Sequence, residues 1–370
     1  MIMSKEKIIP IFVPNYGCPH MCVFCNQIKI TGTNISITKD EVIETIDNYL
    51  RFFNTEEECI IEIAFYGGSF TAIELSKQVE LLQIAKSYKD AGKINKIRIS
   101  TRPDAIDDNI LKVLKSYSVD IIELGVQSLD KEVLFFSERG HSDSDVYDAV
   151  KIIRNYDFVL GLQMMVGLPG DDYDKSLNTL IKIIDLKPNF IRIYPTLVIK
   201  NTKLENMYMS GEYKPLTVDQ TVKLCKDLLI VATYYKIPVI RIGLQTTEGI
   251  QLGKDVVSGP FHAAIRQLIE SEIFYDIIYE ALSNIEISFK GETLEIYCNA
   301  NIMSNIAGHK SCNRIKLYNE FNFKIIKFIK TDMEKSIILK IGNIQKSIDI
   351  VECIENMAVS ILDRAFIRGV

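Results

Sequence analysis

Between residues 8 and 244, short and nearly continuous apolar runs alternate with longer amphipathic stretches, and this alternation constrains the fold most. Strands are predicted at Ile8–Val13, Ile61–Tyr66, Lys96–Thr101, Asp120–Val126, Phe158–Val166 and Phe190–Tyr194, with Pro238–Leu244 as a seventh candidate. Helices are predicted between them at Lys39–Phe53, Ile73–Ala91, Asp107–Tyr117, Ser144–Asn155 and Lys175–Leu186. Thr38 followed by Glu41 has the spacing of a capping box, and Asp143 or Ser144 is placed to cap the helix through Ile153. Strands that are apolar on both faces belong to a parallel sheet covered by helices. Such units in series fit a partial or full parallel (β/α) barrel better than an open sheet.

Polar or glycine-rich sequence follows the strands: Gly67-Gly68-Ser69, Arg102-Pro103-Asp104, Gln127-Ser128 and Gly167-Leu168-Pro169-Gly170. In a β/α barrel the loops after the strands share one face and carry the active site. The loop after the first strand belongs to that face too, and it holds three cysteines.

The other bounds are broad. A chain of 370 residues with a net charge of −5 is no overall electrostatic magnet for nucleic acid, so any basic surface is local. The start is charged and short, without a signal-peptide pattern, and no run approaches the roughly 20 apolar residues that span a bilayer. A cytoplasmic protein is expected. Eight cysteines in such a setting do not predict a disulfide framework. Cys59, Cys225, Cys298, Cys312 and Cys353 are scattered singly and read as small buried hydrophobes.

Cys18-Pro-His-Met-Cys22-Val-Phe-Cys25 is different: it is C-x3-C-x2-C on one tight loop. Three thiolates so spaced can hold three corners of a cubane iron–sulfur cluster. With no fourth cysteine nearby, one iron stays open for chemistry, as one position stays open in catalytic zinc sites. A structural zinc with His20 as fourth ligand is the rival, although no second ligand pair is evident downstream. Three unligated, reactive thiols are the plain alternative.

The same motif is the signature of the radical S-adenosylmethionine (SAM) superfamily, which the chain resembles. Phe24 before the third cysteine and Tyr66-Gly-Gly-Ser-Phe70 are similar to that family's pattern, whose glycine motif holds the methionine amino group of SAM. Backbone must approach the ligand closely there, which side chains at Gly67 and Gly68 would prevent. Ser100-Thr-Arg-Pro-Asp104, Glu123-Leu-Gly-Val-Gln-Ser128, Glu138-Arg-Gly-His141, Met164-Met-Val-Gly-Leu-Pro169 and Tyr194-Pro-Thr-Leu-Val198 resemble the radical SAM part of the catalytic subunit of Elongator, a wobble-uridine tRNA modifier. Gly259-Pro-Phe-His262 and Arg266 resemble related bacterial radical SAM proteins. The resemblance covers roughly residues 8–270. It implies a [4Fe-4S] cluster on Cys18, Cys22 and Cys25, and SAM held by Gly67, Gly68, Ser69, Glu123, Gln127, Arg139 and Gln163. Arg139 has the guanidinium geometry for the methionine carboxylate, and Gln163 stands where relatives carry a ribose-binding residue. A surface ion pair for Arg139 and a buried hydrogen bond for Gln163 are the structural alternatives. His141 and His262 read equally as pocket residues or as local caps, and His20 as loop-shaping.

The chain departs from the Elongator pattern in two ways. Its first two cluster cysteines have ordinary spacing, where the Elongator subunit's are further apart. Beyond residue 285 it has only Gly291, Gly308, Gly342 and Gly369, never two close together, so the glycine-rich loop of an acetyl-CoA-binding domain is not expected. Residues 1–284 are expected to form the barrel, and 285–370 a small α+β module. Ile285–Phe289 with Leu294–Cys298 is predicted as a hairpin, Ser304–Phe321 as a helix, Phe323–Phe328 and Ser336–Ile341 as strands, and Val351–Ile367 as a closing helix. From Ile285 to Ser347 there are ten Lys/Arg against six Asp/Glu. Ile306-Ala-Gly-His-Lys-Ser311 faintly resembles the glycine loop of a KH RNA-binding domain, with Ser311 in place of the second glycine. A solvated lysine face is the ordinary alternative.

The resemblance implies an enzyme that cleaves SAM reductively to a 5′-deoxyadenosyl radical, with tRNA or another RNA as substrate and a reducing donor such as ferredoxin or flavodoxin. A small-molecule substrate is the second hypothesis, because oxygen-independent coproporphyrinogen oxidases share the Gly-Val-Gln and Gly-Leu-Pro-Gly elements. A non-catalytic cluster-binding scaffold is the third. Salt-sensitive RNA binding separates the first from the second, and SAM cleavage separates both from the third.

Overall fold

The computed structural model describes residues 5–13, 18, 21–26, 37–53, 59–244, 250–285 and 288–369. His20 lies outside them. The chain forms two compact units, Met1–Pro215 with Leu244–Pro260, and Leu216–Gly243 with Phe261–Val370.

The first unit is built on parallel strands β1 (Lys5–Val13), β2 (Cys59–Gly67), β3 (Lys96–Thr101), β4 (Ile121–Gln127), β5 (Val159–Val166) and β6 (Phe190–Pro195), paired in chain order. The predicted strands are found, and the β/α alternation makes the partial parallel barrel that was expected. The helices are α1 (Lys39–Phe52), α2 (Leu75–Asp90), α3 (Asp108–Ser116), α4 (Lys131–Phe136), α5 (Asp143–Ile153), α6 (Tyr173–Asp185) and α7 (Lys203–Met209). A two-residue strand β7 (Val198–Ile199) pairs antiparallel with Val256–Ser258. Helix starts follow local chemistry. Thr38 Oγ1 accepts from Glu41 N at 3.3 Å, and Glu41 Oε2 accepts from Thr38 N at 2.7 Å. The cap of α5 is Ser142 with Asp145, one residue before the expected Asp143.

The second unit contains α8 (Val218–Tyr234), β8 (Val239–Ile242) and α9 (Ile265–Ser283); Val256–Ser258 is β9, in the first unit. It continues with β10 (Thr293–Asn299), α10 (Ala300–Ala307), α11 (Cys312–Phe321), β11 (Ile325–Thr331), β12 (Ser336–Ile341), β13 (Ile344–Asp349) and α12 (Ile350–Arg368). The sheet order is β11-β10-β12-β13. β10 pairs parallel to β11 and antiparallel to β12, so no described residue of the expected Ile285–Phe289 hairpin strand is its partner. The expected helix Ser304–Phe321 is split at Gly308 (φ 81°), where a Cβ would stand 2.6 Å from Cys312 Sγ. The expected boundary at residue 285 falls inside this unit, because α9 packs on α8 and α8 on α12. Among the described residues, no helix is long and apolar enough to cross a membrane.

Candidate active site at the strand ends

Inside the barrel, inward-facing positions of five strands carry charge or polarity instead of aliphatic side chains. Arg98 on β3 is held by Glu62 of β2 (Nη2 to Oε2, 2.9 Å) and also donates to Glu123 of β4. Arg192 on β6 donates through Nε to the same Glu123 oxygen at 3.1 Å, and through Nη2 to Tyr66 Oη at 3.3 Å. Gln163 on β5 donates to the other Glu123 oxygen. Glu62 and Glu123 are fully buried, and Arg98 and Arg192 nearly so. Two guanidiniums against two carboxylates keep the array neutral, which buried charges require. Burial pushes the Glu62 carboxyl up, with Arg98 opposing, and pushes the Tyr66 phenol up to about 12. The strand register makes room: Glu123 lies opposite Gly161, where a Cβ would stand 2.3 Å from the Phe190 ring and 3.1 Å from Glu123 Cγ.

At the strand ends the site residues gather. Gly67 takes a φ of 106°, open to glycine alone among residues without strain, and Gly68 N donates to Val13 O at 2.8 Å. Cys18 donates its S–H to the buried Ser69 Oγ at 3.5 Å. The cysteine loop is anchored at its middle: Cys25 N donates to Cys22 O (3.0 Å), Val23 N to Ser137 O (3.1 Å) and Leu204 N to Val23 O (2.7 Å). Val23 is buried with Val198, Leu204 and Tyr213, and Phe24 packs against that cluster.

Cys22 is buried and accepts from Arg139 Nη1 at 3.4 Å, while Arg139 Nη2 donates to Gly125 O at 2.9 Å. A Cβ on Gly125 would stand 2.9 Å from both Arg139 Nη2 and Gln127 Nε2, so two residues of the expected SAM set converge over Gly125. The β4–β5 pairing shifts register between Gly125 and Gln127, and Gln127 adopts a φ of 63°. Such a bulge re-aims a side chain at a sheet end. Arg102, one residue past β3, is 1% exposed and clasped by Asp104 (2.8 and 2.9 Å). His141 lies buried beside them, its Nε2 3.3 Å from Val126 O. Its pKa is pushed down to about 3 by burial, then by Arg139 and Arg102, so the imidazole is neutral.

The structure thus brings Cys18 to Ser69, Cys22 to Arg139, and Arg139 to Gln127. Both Glu123 oxygens accept hydrogen bonds inside the barrel, one from Arg98 and Arg192 and the other from Gln163. Glu62, Arg98 and Arg192 went unread in the sequence, although charges inside apolar strand candidates were the available signal. Among the described residues, no three His, Cys, Asp or Glu side chains converge on a single metal-ion site. The thiols, with cationic and hydroxyl neighbours at the sulfurs, have the donor chemistry of an iron–sulfur cluster, whose thiolates are tuned by such hydrogen bonds. Buried Arg102 Nη1, Arg139 Nε and His141 Nδ1 have no hydrogen-bond partner among the described residues, which fits a polar group seated there.

Residues 12–181 match the Radical SAM superfamily model, and 188–274 match the Radical_SAM C-terminal domain. An uncharacterised protein of Methanocaldococcus jannaschii is 31% identical over 245 residues, 61% of this chain and 72% of the relative. A tRNA uridine(34) acetyltransferase of the same organism is 29% identical over 261 residues, 60% of this chain and 48% of the relative; the chain thus spans about half of that enzyme. The solved structure of Elp3 from Methanocaldococcus infernus with residues 1–46 deleted shares the fold at a TM-score of 0.57 and 20% identity, covering 73% of this chain and 63% of that one. The chain is a member of the radical SAM superfamily, an enzyme family whose cofactors are a [4Fe-4S] cluster and SAM.

Proposed function

We propose that this protein cleaves SAM reductively and directs the resulting radical at tRNA or another structured RNA. When bound, the cluster supplies the electron that splits SAM into methionine and a 5′-deoxyadenosyl radical. Cys18, Cys22 and Cys25 hold the cluster. With SAM bound, the backbone at Gly67 and Gly68 would leave room for the methionine amino group, and Arg139 would supply a guanidinium for the carboxylate. Gln127 and Gln163 supply amides, that of Gln163 donating to Glu123. Glu123 orients Gln163 and is itself fixed by Arg98 and Arg192. The strand-end residues would orient substrate, and exclusion of water there would protect a radical from side reactions.

The observation that carries the RNA reading is the match along 60% of the chain to an enzyme named for uridine 34 of tRNA. The match spans 48% of that enzyme, so its acetyl transfer is not carried over to this chain. A low-potential donor of the ferredoxin or flavodoxin kind supplies the electron in the cell.

The test is anaerobic. The cluster is reconstituted, SAM and dithionite are added, and 5′-deoxyadenosine is measured with and without bulk tRNA. Formation stimulated by tRNA supports the proposal. Formation indifferent to tRNA turns the substrate class to small molecules. No formation from a chain with a verified cluster supports the scaffold reading instead.

A further inference from the structure

The chain is acidic overall, yet one stretch of the second unit is strongly basic. Between residues 310 and 330, Lys310, Arg314, Lys316, Lys324, Lys327 and Lys330 stand against Glu320 alone, in a chain of net charge −5. The stretch covers α11 and β11. β11 is an edge strand, paired with β10 only, and lysines there also discourage pairing between sheets. No such duty explains the cations of α11. That helix buries Asn313 and Leu317 and turns Arg314, Ile315 and Tyr318 outward. Residues four apart share a helix face, so Arg314 and Tyr318 are neighbours on it. Ile315 is 55% exposed and Tyr318 48%. Lys310 is exposed in the turn just before the helix. Lys316 is turned back onto α9, where it pairs with Glu272 at 3.0 Å and lies over the Tyr275 ring. Lys310 and Arg314, by contrast, form no ion pair among the described residues.

The turn that carries Lys310 is tied to α9 on both sides. Asn305 Nδ2 donates to Glu270 Oε2 (2.9 Å), His309 Nδ1 to Gln267 Oε1 (3.2 Å), and Asn313 Nδ2 to Ser271 O (2.7 Å). The His309 ring also meets the His262 ring edge to face, with centroids 5.2 Å apart. Two motifs singled out in the sequence, Gly259–His262 and Ile306–Ser311, therefore come together here. Lys310 and Ser311 take φ values of 52° and 62°, a conformation that these bonds hold in place. A surface fixed in this way loses little freedom when a partner binds.

We propose that the face formed by Lys310, Arg314, Ile315 and Tyr318 is a docking surface for RNA, with the two cations on backbone phosphates and the Tyr318 ring against an unpaired base. The inference rests on the RNA reading given above and adds to it a grip carried by the second unit. Unpaired cations select a polyanion by charge complementarity. An exposed aromatic ring among them favours nucleic acid over a lipid surface, because unpaired bases stack on such rings. Arginine suits the phosphate role, since its planar fork matches phosphate oxygens.

The experiment measures binding of labelled bulk tRNA to the reconstituted full-length protein by fluorescence anisotropy, anaerobically and without SAM, over a range of salt. Each phosphate contact contributes about 0.7–0.9 to the slope of log affinity against log salt. A Lys310→Gln, Arg314→Gln double variant is expected to lower that slope by about 1.5, and affinity near 0.1 M salt by about 30-fold. Tyr318→Ala is expected to cost about fivefold or more with the slope unchanged, since stacking releases no counterions. A Lys39→Gln, Lys151→Gln control removes two exposed cations from α1 and α5 of the first unit and is expected to leave the slope close to wild type. If the Lys310→Gln, Arg314→Gln protein binds tRNA with wild-type affinity and slope, the proposal is overturned while the RNA reading stands. An equal loss in the control pair overturns it as well. So does wild-type binding to vesicles of equal parts phosphatidylcholine and phosphatidylglycerol that the double variant loses while keeping its tRNA affinity. Wild-type protein that binds no tRNA at any salt overturns the RNA reading and this inference together, and is seen before any variant is made.

Discussion

His141 is a histidine that the fold keeps from protonating. Its folded pKa is pushed to about 3, below the ordinary value of about 6.5, by burial and by Arg139 and Arg102. Between those values the unfolded chain binds more protons, so stability rises with pH across this window. The contribution is full above about pH 6.5 and is lost as pH falls toward 3. Asp171 opposes it. Burial raises that carboxyl to about 6 although Gly167 N and Ser176 Oγ donate to it, so its contribution falls as pH rises from about 4 to 6. Comparing wild type with His141→Gln isolates the histidine. The wild type is expected to lose stability relative to the variant by up to about 1.4 kcal/mol per pH unit below 6.5. Urea midpoints at several pH values measure this. Parallel pH profiles for the two proteins would remove the buried neutral imidazole from the account. The sequence named His141 without choosing between a pocket residue and a local cap, because burial by partners from distant elements has no local signature.

At the scale of elements, the barrel was legible because parallel strands buried on both faces must be apolar almost throughout. The polar rank inside it was not. Glu62, Arg98, Glu123 and Arg192 come from four strands, and only the register brings them together. Arg98→Met leaves the buried Glu62 carboxylate without its cation while Glu123 keeps Arg192, and is expected to cost about 3–5 kcal/mol of stability in denaturant unfolding. An unchanged midpoint would mean that the array contributes nothing to stability. Gly161→Ala tests the fit beside it. The new methyl meets the Phe190 ring, over which Arg98 stacks at 5.2 Å. A loss of about 1–3 kcal/mol is expected, with partial recovery in a Gly161→Ala, Phe190→Leu double variant. A double variant no better than Gly161→Ala alone would show that the ring is not the obstacle. Other elements were missed for a local reason. α4 and α7 are short, and the 304–321 stretch reads as one helix unless the crowding of Gly308 by Cys312 and Asn313 is known.

At the scale of the whole molecule, the cluster motif and the strand-end glycines were legible because chemistry fixes their spacing. Arg139's contact with Cys22, by contrast, joins residues 117 apart and required the fold. The division into units was equally non-local. Composition changes near residue 285, yet the chain leaves the first unit after Pro215, returns at Leu244 and leaves again after Pro260. A fragment ending at residue 284 therefore keeps α8 and α9 but loses α12 and the four-stranded sheet. Leu228, Ile230 and Val231 of α8 and Ile269, Ile277 and Ile278 of α9 are buried in the intact chain. Part of that surface is expected to reach water in the fragment. An apolar patch beyond the few hundred Å² common on monomers drives association. The fragment is thus expected to bind a hydrophobic dye, to elute as oligomers on a sizing column and to unfold without a sharp transition, whereas the full chain does none of these. A monomeric fragment with a cooperative thermal transition would mean that the compositional change at 285, rather than the packing of α8 on α12, marks where the protein divides.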